Sequence, residues 1–380
     1  MKMKTKKLGS LAVLAGMAAV SCGIFFVAEK TTKPERQPYF ERKIEAATIA
    51  LAARDAIKEY ERGAGIVIDT QSDPYCTGLI GLERTEITTG HGDLTLAMLS
   101  TNPNIAAAFV DMLVKARVKP HRTIAIGMNG SYPGLNISAL AACYALDLRP
   151  IIITSVGASG YGANRPTLTW LDMEKILNDR DVFPFKSDAA SIGGRGETGN
   201  GLTPEGRDLL RGAIKRNNIL LIEEESVEAN IAKRMEIYKI ESRGKKITCY
   251  INIGGGVASL GGTQNARLIP PPGLTRHLAV KNYPMNGIIN LMAEDSLPVI
   301  NVLNARKIAA DYGFPRKITE KEPPAGEGPL FFKKRDSLFI SILLAGIMFV
   351  VVVFVIIIDV MQHDGKTVND RIPITEDEII

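Results

Sequence analysis

The chain is poor in the residues that carry much of the familiar site chemistry. It has one tryptophan (Trp170), four cysteines, four histidines and only 6% aromatic residues in 380. Cys22, Cys76, Cys143 and Cys249 form no C-x-x-C pair and no Cys/His spacing, so neither a zinc site nor a disulfide framework is expected. Cys143 and Cys249 fall in apolar runs and read as buried thiols. No G-x-x-x-x-G-K-[ST] occurs, which excludes a Walker-type phosphate loop. The loop GGGVASLGG (254–262) is too loose for a dinucleotide fingerprint, so no cofactor is expected. No arginine-rich run or aromatic-basic interleaving is present, which argues against nucleic acid as a partner.

What the chain does have is glycine, 35 in all, and two long apolar runs. The run at 338–358, LFISILLAGIMFVVVVFVIII, carries no charge and has the length of about 20 residues that a membrane-spanning helix needs. The run at 8–28 follows the basic stretch MKMKTKK (1–7). It fits a signal peptide, because basic, apolar and small-residue regions follow in order. It also fits an uncleaved anchor, because apolar sequence continues past Cys22, a position that loosely resembles a lipoprotein cleavage site. The anchor is the preferred reading, so the lipid bilayer is an expected partner. Lys2, Lys4, Lys6 and Lys7 favour a cytoplasmic N-terminus and an external main domain. Lys333, Lys334 and Arg335, just before the second run, pull the other way. The net charge is +5, with the acids of 359–380 offset by the N-terminal lysines. That mild basic excess suits an acidic partner without demanding one.

Between the apolar runs, strand-like and helix-like segments alternate. A linker (29–39) leads to an amphipathic helix at 40–62. GIVIDT (65–70) then reads as a short buried strand. LTLAMLS (94–100) and 104–118 read as helices, TIAI (123–126) as a strand, 134–147 as a helix and PIIITSV (150–156) as a strand. Helices follow at 203–218, with Thr203 as N-cap and Pro204 in the first turn, and at 225–242. KITCYINI (246–253) and LPVINVL (297–303) read as further strands, with helices at 285–296 and 304–313. The expectation is an α/β fold over 40–315. It has a mainly parallel sheet, flanking helices and glycine-rich loops at the carboxyl edge, and lies between two membrane-spanning helices. Residues 316–337 read as a linker and 359–380 as an acidic tail.

Five glycine-rich loops flank these elements: TTGHGDLT (88–95), IGMNGSYPG (126–134), SVGASGYGANRP (155–166), SIGGRGETGNGLT (191–203) and IGGGVASLGGTQN (253–265). In a parallel sheet such loops gather at the carboxyl edge, where ligands bind, so they are expected to form one cleft. Ser131 stands on a strand-to-helix turn. It is read as a nucleophile, with His91 as base and Asp93 behind it, as a ligand contact, or as a turn residue. The pattern N-G-S-Y-P-G misses the G-x-S-x-G elbow by one residue. Asn129 and Gly130 are candidate anion contacts, as are Gly254, Gly255 and Gly256 through their N–H groups. Arg165 and Arg195 are candidate carboxylate clamps. Asp93 also suits a helix cap.

Long stretches resemble the poly-γ-glutamate system protein family of bacterial capsule loci. They are IVIDTQSDP…TGLIGLERTEITTGHGDL (66–94), LSTNPN (99–104), GSYPGLNISALAA (130–142), ITSVGASGYGANRPTLTWLDMEKIL (153–177) and YINIGGGVASLGG (250–262). The resemblance implies a component of the bacterial inner membrane, placed beside the ligase and export subunits that make and move poly-γ-glutamate. Its expected partners are the polymer or γ-glutamyl oligomers. It assigns no catalytic residue. Polymer binding, γ-amide hydrolysis or transfer at Ser131, and a purely structural scaffold stay open at this stage.

Overall fold

Continuous apolar runs become strands here because both faces of the sheet are covered. In the computed structural model, which describes residues 5–369 apart from 263, 266, 267, 270, 271, 279–282, 336 and 337, seven strands form one sheet. They are β1 (Thr123–Asn129), β2 (Arg149–Ser155), β3 (Ala189–Ser191), β4 (Leu220–Leu221), β5 (Ile247–Ile253), β6 (Gly273–Thr275) and β7 (Val299–Val302), in the order β6-β7-β5-β1-β2-β3-β4. Every neighbouring pair is parallel except β6 with β7.

The alternation of side chains along each strand divides the core. Ile124, Ile126 and Met128 of β1 enter one apolar cluster, and Ala125 enters the other. In β5, Cys249, Ile251 and Ile253 face the first side and Tyr250 the second. The first face is covered by α2 (Phe40–Gly63), α4 (Ile105–Lys115) and α5 (Pro133–Ala145), which pack on one another. Small buried residues (Ala46, Ala47, Ala50 and Ala53 on α2; Ala106, Ala107 and Ala108 on α4) let these backbones approach closely. The second face carries α8 (Val227–Glu241), α9 (Val257–Leu260) and α10 (Ile288–Glu294). A third cluster joins Val156, Ala190 and Ile192 to Leu210, Ala213 and Ile214 of α7 (Pro204–Arg216). There Thr203 Oγ1 accepts from Gly206 N at 3.1 Å, with Pro204 in the first turn as expected.

Several expectations are revised. GIVIDT forms no strand: residues 65–69 are irregular and Val67 stands 83% exposed, with no sheet edge to receive it. Strands β3 and β4 lie in segments without a strand signal, because β3 is Ala-Ala-Ser and both are very short. The stretch 316–331 packs on the domain rather than linking freely. Leu330 and Phe331 are buried, Lys43 Nζ donates to Leu330 O at 3.3 Å, and Glu322 pairs with Arg54.

The chain divides into two compact units, Gln37–Phe331 and the paired ends Met1–Arg36 with Phe332–Ile380. In the second unit Lys33–Arg36 and Phe332–Arg335 pair antiparallel, where the sequence suggests linkers. The helix α1 (Thr5–Thr31) packs against the helix Leu338–Asn369. Among the described residues only the stretch Ile340–Ile357 is long and apolar enough to cross a membrane, with mean hydropathy 3.3. The helix thus runs on into the expected acidic tail, of which 370–380 lies outside the described residues, as do 1–4 of the basic N-terminus.

Candidate functional site

Strand β1 hands the chain on to β2 on one side, while β5 lies against its other side. At such a reversal of strand order the connections diverge and leave a crevice beyond the carboxyl ends of the strands. A cleft of about 470 Å³ opens there. All five glycine-rich loops contribute to it: Thr89; Asn129, Ser131 and Tyr132; Gly157 and Ser159; Gly194, Arg195 and Glu197; Gly255, Gly256 and Val257.

The walls close tightly because glycines permit it. Gly254, at φ +83°, passes so near β1 that a Cβ there would sit 2.4 Å from Asn129 Nδ2. Asn129 ends β1, and its Oδ1 accepts from Ser131 N at 3.0 Å while its main-chain O accepts from Asn136 Nδ2 at 2.8 Å. The turn NGSYPG is therefore held from within. Gly130 N donates to Ser155 O at 3.2 Å, and Gly130 O accepts from Ala163 N at 2.7 Å. Ser131 Oγ accepts from Ser159 N at 3.1 Å and so ties two loops together, with its own proton left to donate. Tyr132 is half-buried, and burial with the nearby Asp93 carboxylate pushes its phenol up, keeping it a donor.

The floor rests on a row of polar residues in register: Asn129, Ser155 and Ser191 end β1, β2 and β3 side by side. Glu197 meets this row. Its Oε2 accepts from Ser155 Oγ (2.8 Å), Ser191 Oγ (2.5 Å) and Arg234 (3.0 Å). Arg234 comes from α8, is fully buried, and donates from Nε to Asn230 Oδ1 at 2.7 Å. An ion pair this deep persists because each charge is hydrogen-bonded as well as neutralised. The sequence reading missed Glu197, Ser155, Ser191 and Arg234. The only hint was an acidic residue inside the glycine run GGRGETG, whose partners lie far apart along the chain.

The other candidates spread out. Arg195 is exposed on the cleft rim and pairs with no carboxylate among the described residues. Arg165 does not line the cleft. It sits in a short hairpin near the buried Glu61, with its Nε buried and unpartnered. His91 is exposed, lies outside the cleft lining and makes no hydrogen bond to Ser131. Asp93 caps the helix α3 (Leu94–Ser100) through Leu96 N at 3.1 Å and faces Arg306 at 3.6 Å. Thus no Ser131–His91–Asp93 relay is assembled in this conformation. Gly255 and Gly256 line the cleft with open space beside them. Cys143 and Cys249 are buried thiols, Cys249 pushed up to about 12 by burial, and neither lines the cleft. Among the described residues no group of His, Cys, Asp and Glu suited to a metal ion occurs.

No family model matches the chain, and no curated protein or solved structure matches it either.

Proposed function

We propose that the protein is a membrane-anchored component of poly-γ-glutamate synthesis or export, holding γ-glutamyl chains, or a partner subunit that presents them, in the cleft at the carboxyl edge of the sheet. The observation that carries this reading is the cleft itself. Arg195, its one cation without a carboxylate partner among the described residues, stands on the rim beside hydroxyls and glycine backbone. A planar guanidinium with donors around it suits a carboxylate, and each γ-linked glutamate offers one. The apolar helix at Ile340–Ile357 suits the bilayer. In this reading the N-terminal apolar run is a second anchor in the bacterial inner membrane, the main domain is extracytoplasmic, and the ligase and export subunits are neighbours.

Cleavage or transfer of the γ-amide is the second reading, favoured by the Ser131 hydroxyl on the cleft wall. Among the described residues no base touches that hydroxyl, which accepts from Ser159 N. The test incubates the detergent-solubilised chain with poly-γ-glutamate and follows polymer length and mobility by gel. Retarded migration at unchanged length, lost in Arg195→Ala, is the expected result. Shortening that disappears in Ser131→Ala would replace binding by catalysis. Neither effect would leave a scaffold.

A further inference from the structure

The edge of the sheet opposite the cleft carries the positive charge that the cleft largely lacks. Thr123, Arg149 and Ile247 stand side by side where β1, β2 and β5 begin. The loops that lead into β1 and β5 are basic, with Arg117, Lys119 and Arg122 before β1 and Arg243, Lys245 and Lys246 before β5. Arg149 N donates to Arg122 O at 3.0 Å and ties β2 to the first of them. Arg149, Arg243 and Lys245 border a recess of about 210 Å³, and Lys245 and Lys246 border another of about 670 Å³.

Arg117, Lys119, Arg122, Arg149, Lys245 and Lys246 are exposed, and none has a carboxylate within ion-pair distance among the described residues. The nearby acids are engaged or few. Asp147 pairs with Arg42 at 3.2 Å, Asp111 with Lys115 at 2.6 Å and Glu241 with Arg243 at 3.9 Å. Asp188 and Asp295, which border the recesses, are the acids left to set against these cations. Basic residues are common in the last turn of a helix, where they meet its dipole. None of these six lies in a helix.

Both ends of the domain meet at this edge. Gln37 N donates to Phe331 O at 2.9 Å, and Tyr39 shares a hollow with Arg117 and Lys119. From Phe331, residues 332–339 lead to the apolar stretch Ile340–Ile357. A connection of that length spans at most about 30 Å even when fully extended. We propose that the basic amino edge docks on an anionic lipid surface, its lysines and arginines against headgroup phosphates, so that the cleft at the other edge is held facing away from the bilayer. Clusters of about four to eight Lys and Arg beside an apolar span are the usual size of such a contact. The proposal rests on the membrane anchorage in the reading above and not on the polymer. Poly-γ-glutamate is an anion too, but the short tether brings lipid to this edge and nothing brings the polymer.

The test reconstitutes the full chain in nanodiscs of phosphatidylcholine, alone or mixed with phosphatidylglycerol, and follows lysine acylation by mass spectrometry. Lys119, Lys245 and Lys246 are the reporters, and Lys307, which follows β7 on the carboxyl edge, is the control. The reporters are expected to acylate about fivefold more slowly in the anionic discs, with Lys307 unchanged, and the difference to fade in molar salt. Arg117→Ser, Arg122→Ser and Arg149→Ser together should cut the protection of Lys245 and Lys246 at least about twofold. The wild-type comparison decides the matter even if that variant fails to fold. Equal acylation in both discs overturns the proposal and leaves the anchorage standing. Protection by poly-γ-glutamate in neutral discs, with none from anionic lipid, gives the edge to the polymer and also overturns it. Lipid protection undiminished in the triple variant overturns it by removing charge as the cause. A chain that does not co-purify with the discs removes anchorage and proposal together.

Discussion

Arg195 lies on the glycine-rich loop 191–203 and Arg234 reaches that loop from α8, and burial gives them opposite roles. Arg195 is exposed, so its loss costs the fold little and shows in binding. Arg195→Ala is expected to weaken γ-glutamyl binding about tenfold, the low end for a charge-assisted bond because water competes at the rim. Its denaturation midpoint should stay at the wild-type value, and a titration beside a urea curve checks both. Arg234 is buried with Glu197, with side-chain exposures of 2% and 1%. Arg234→Met leaves a buried carboxylate without its countercharge and is expected to cost about 3–5 kcal/mol. Adding Glu197→Gln should restore much of that loss, because the uncompensated charge goes with it. A double-mutant cycle with no such recovery would show that the pair's charge is not what holds the loop. Neither Arg234 nor its partners could be joined from the sequence alone. Ser155, Ser191, Glu197 and Arg234 are scattered over some eighty positions, and only the strand register brings them together.

Strands β1, β2 and β5 were legible because strands buried on both faces need unbroken apolar runs. The gathering of loops was legible because parallel strands put all their exits on one edge. Strand β3 was not, since Ala-Ala-Ser owes its place to neighbours on both sides rather than to its own propensity. GIVIDT misled for the converse reason, apolar residues without a partner strand. The site residues divided in the same way. Asn129, Ser131 and Arg195 reached the cleft because they stand at or soon after the ends of strands, whereas Asp93 is taken by a helix cap and Arg165 by a hairpin. The junction of β5 with β1 tests whether glycine there is structural or functional. Gly254→Ala meets both a positive φ and the Asn129 side chain, and is expected to cost about 2 kcal/mol or more. Gly255→Ala meets open space at ordinary φ and should stay within about 0.5 kcal/mol. Any effect of Gly255→Ala on ligand affinity therefore reports on the cleft itself, whereas Gly254→Ala confounds the two.

The domain carries a pH dependence to which two buried carboxyls outside the cleft contribute large upward shifts. Glu61, at the end of α2, is 3% exposed and pushed from an ordinary 4.5 up to about 7. Burial dominates, Arg165 opposes it and Asp73 adds to it. Glu174, on α6 (Trp170–Asp179), is 1% exposed and pushed from 4.5 up to about 7 by burial against hydrogen bonds from Ser187 and Trp170. Both folded values exceed the unfolded one, so the folded chain binds more protons between those limits. Stability from these groups is therefore full below about pH 4.5 and falls as pH rises towards 7. Each group contributes on the order of 3 kcal/mol across that window, since one unit is worth about 1.4 kcal/mol. Urea denaturation of the detergent-solubilised chain at a series of pH values is expected to show that decline. Glu61→Gln should flatten it in part, because Glu174 and the likewise raised Asp188 still titrate. Glu61 is the better probe of the two, because Glu174 accepts three hydrogen bonds that an amide would meet with its own donors. An unchanged slope in Glu61→Gln would mean that Arg165 already holds Glu61 ionised in the folded chain, making the hairpin at 164–169 an ion-pair clamp on α2 instead of a neutral contact.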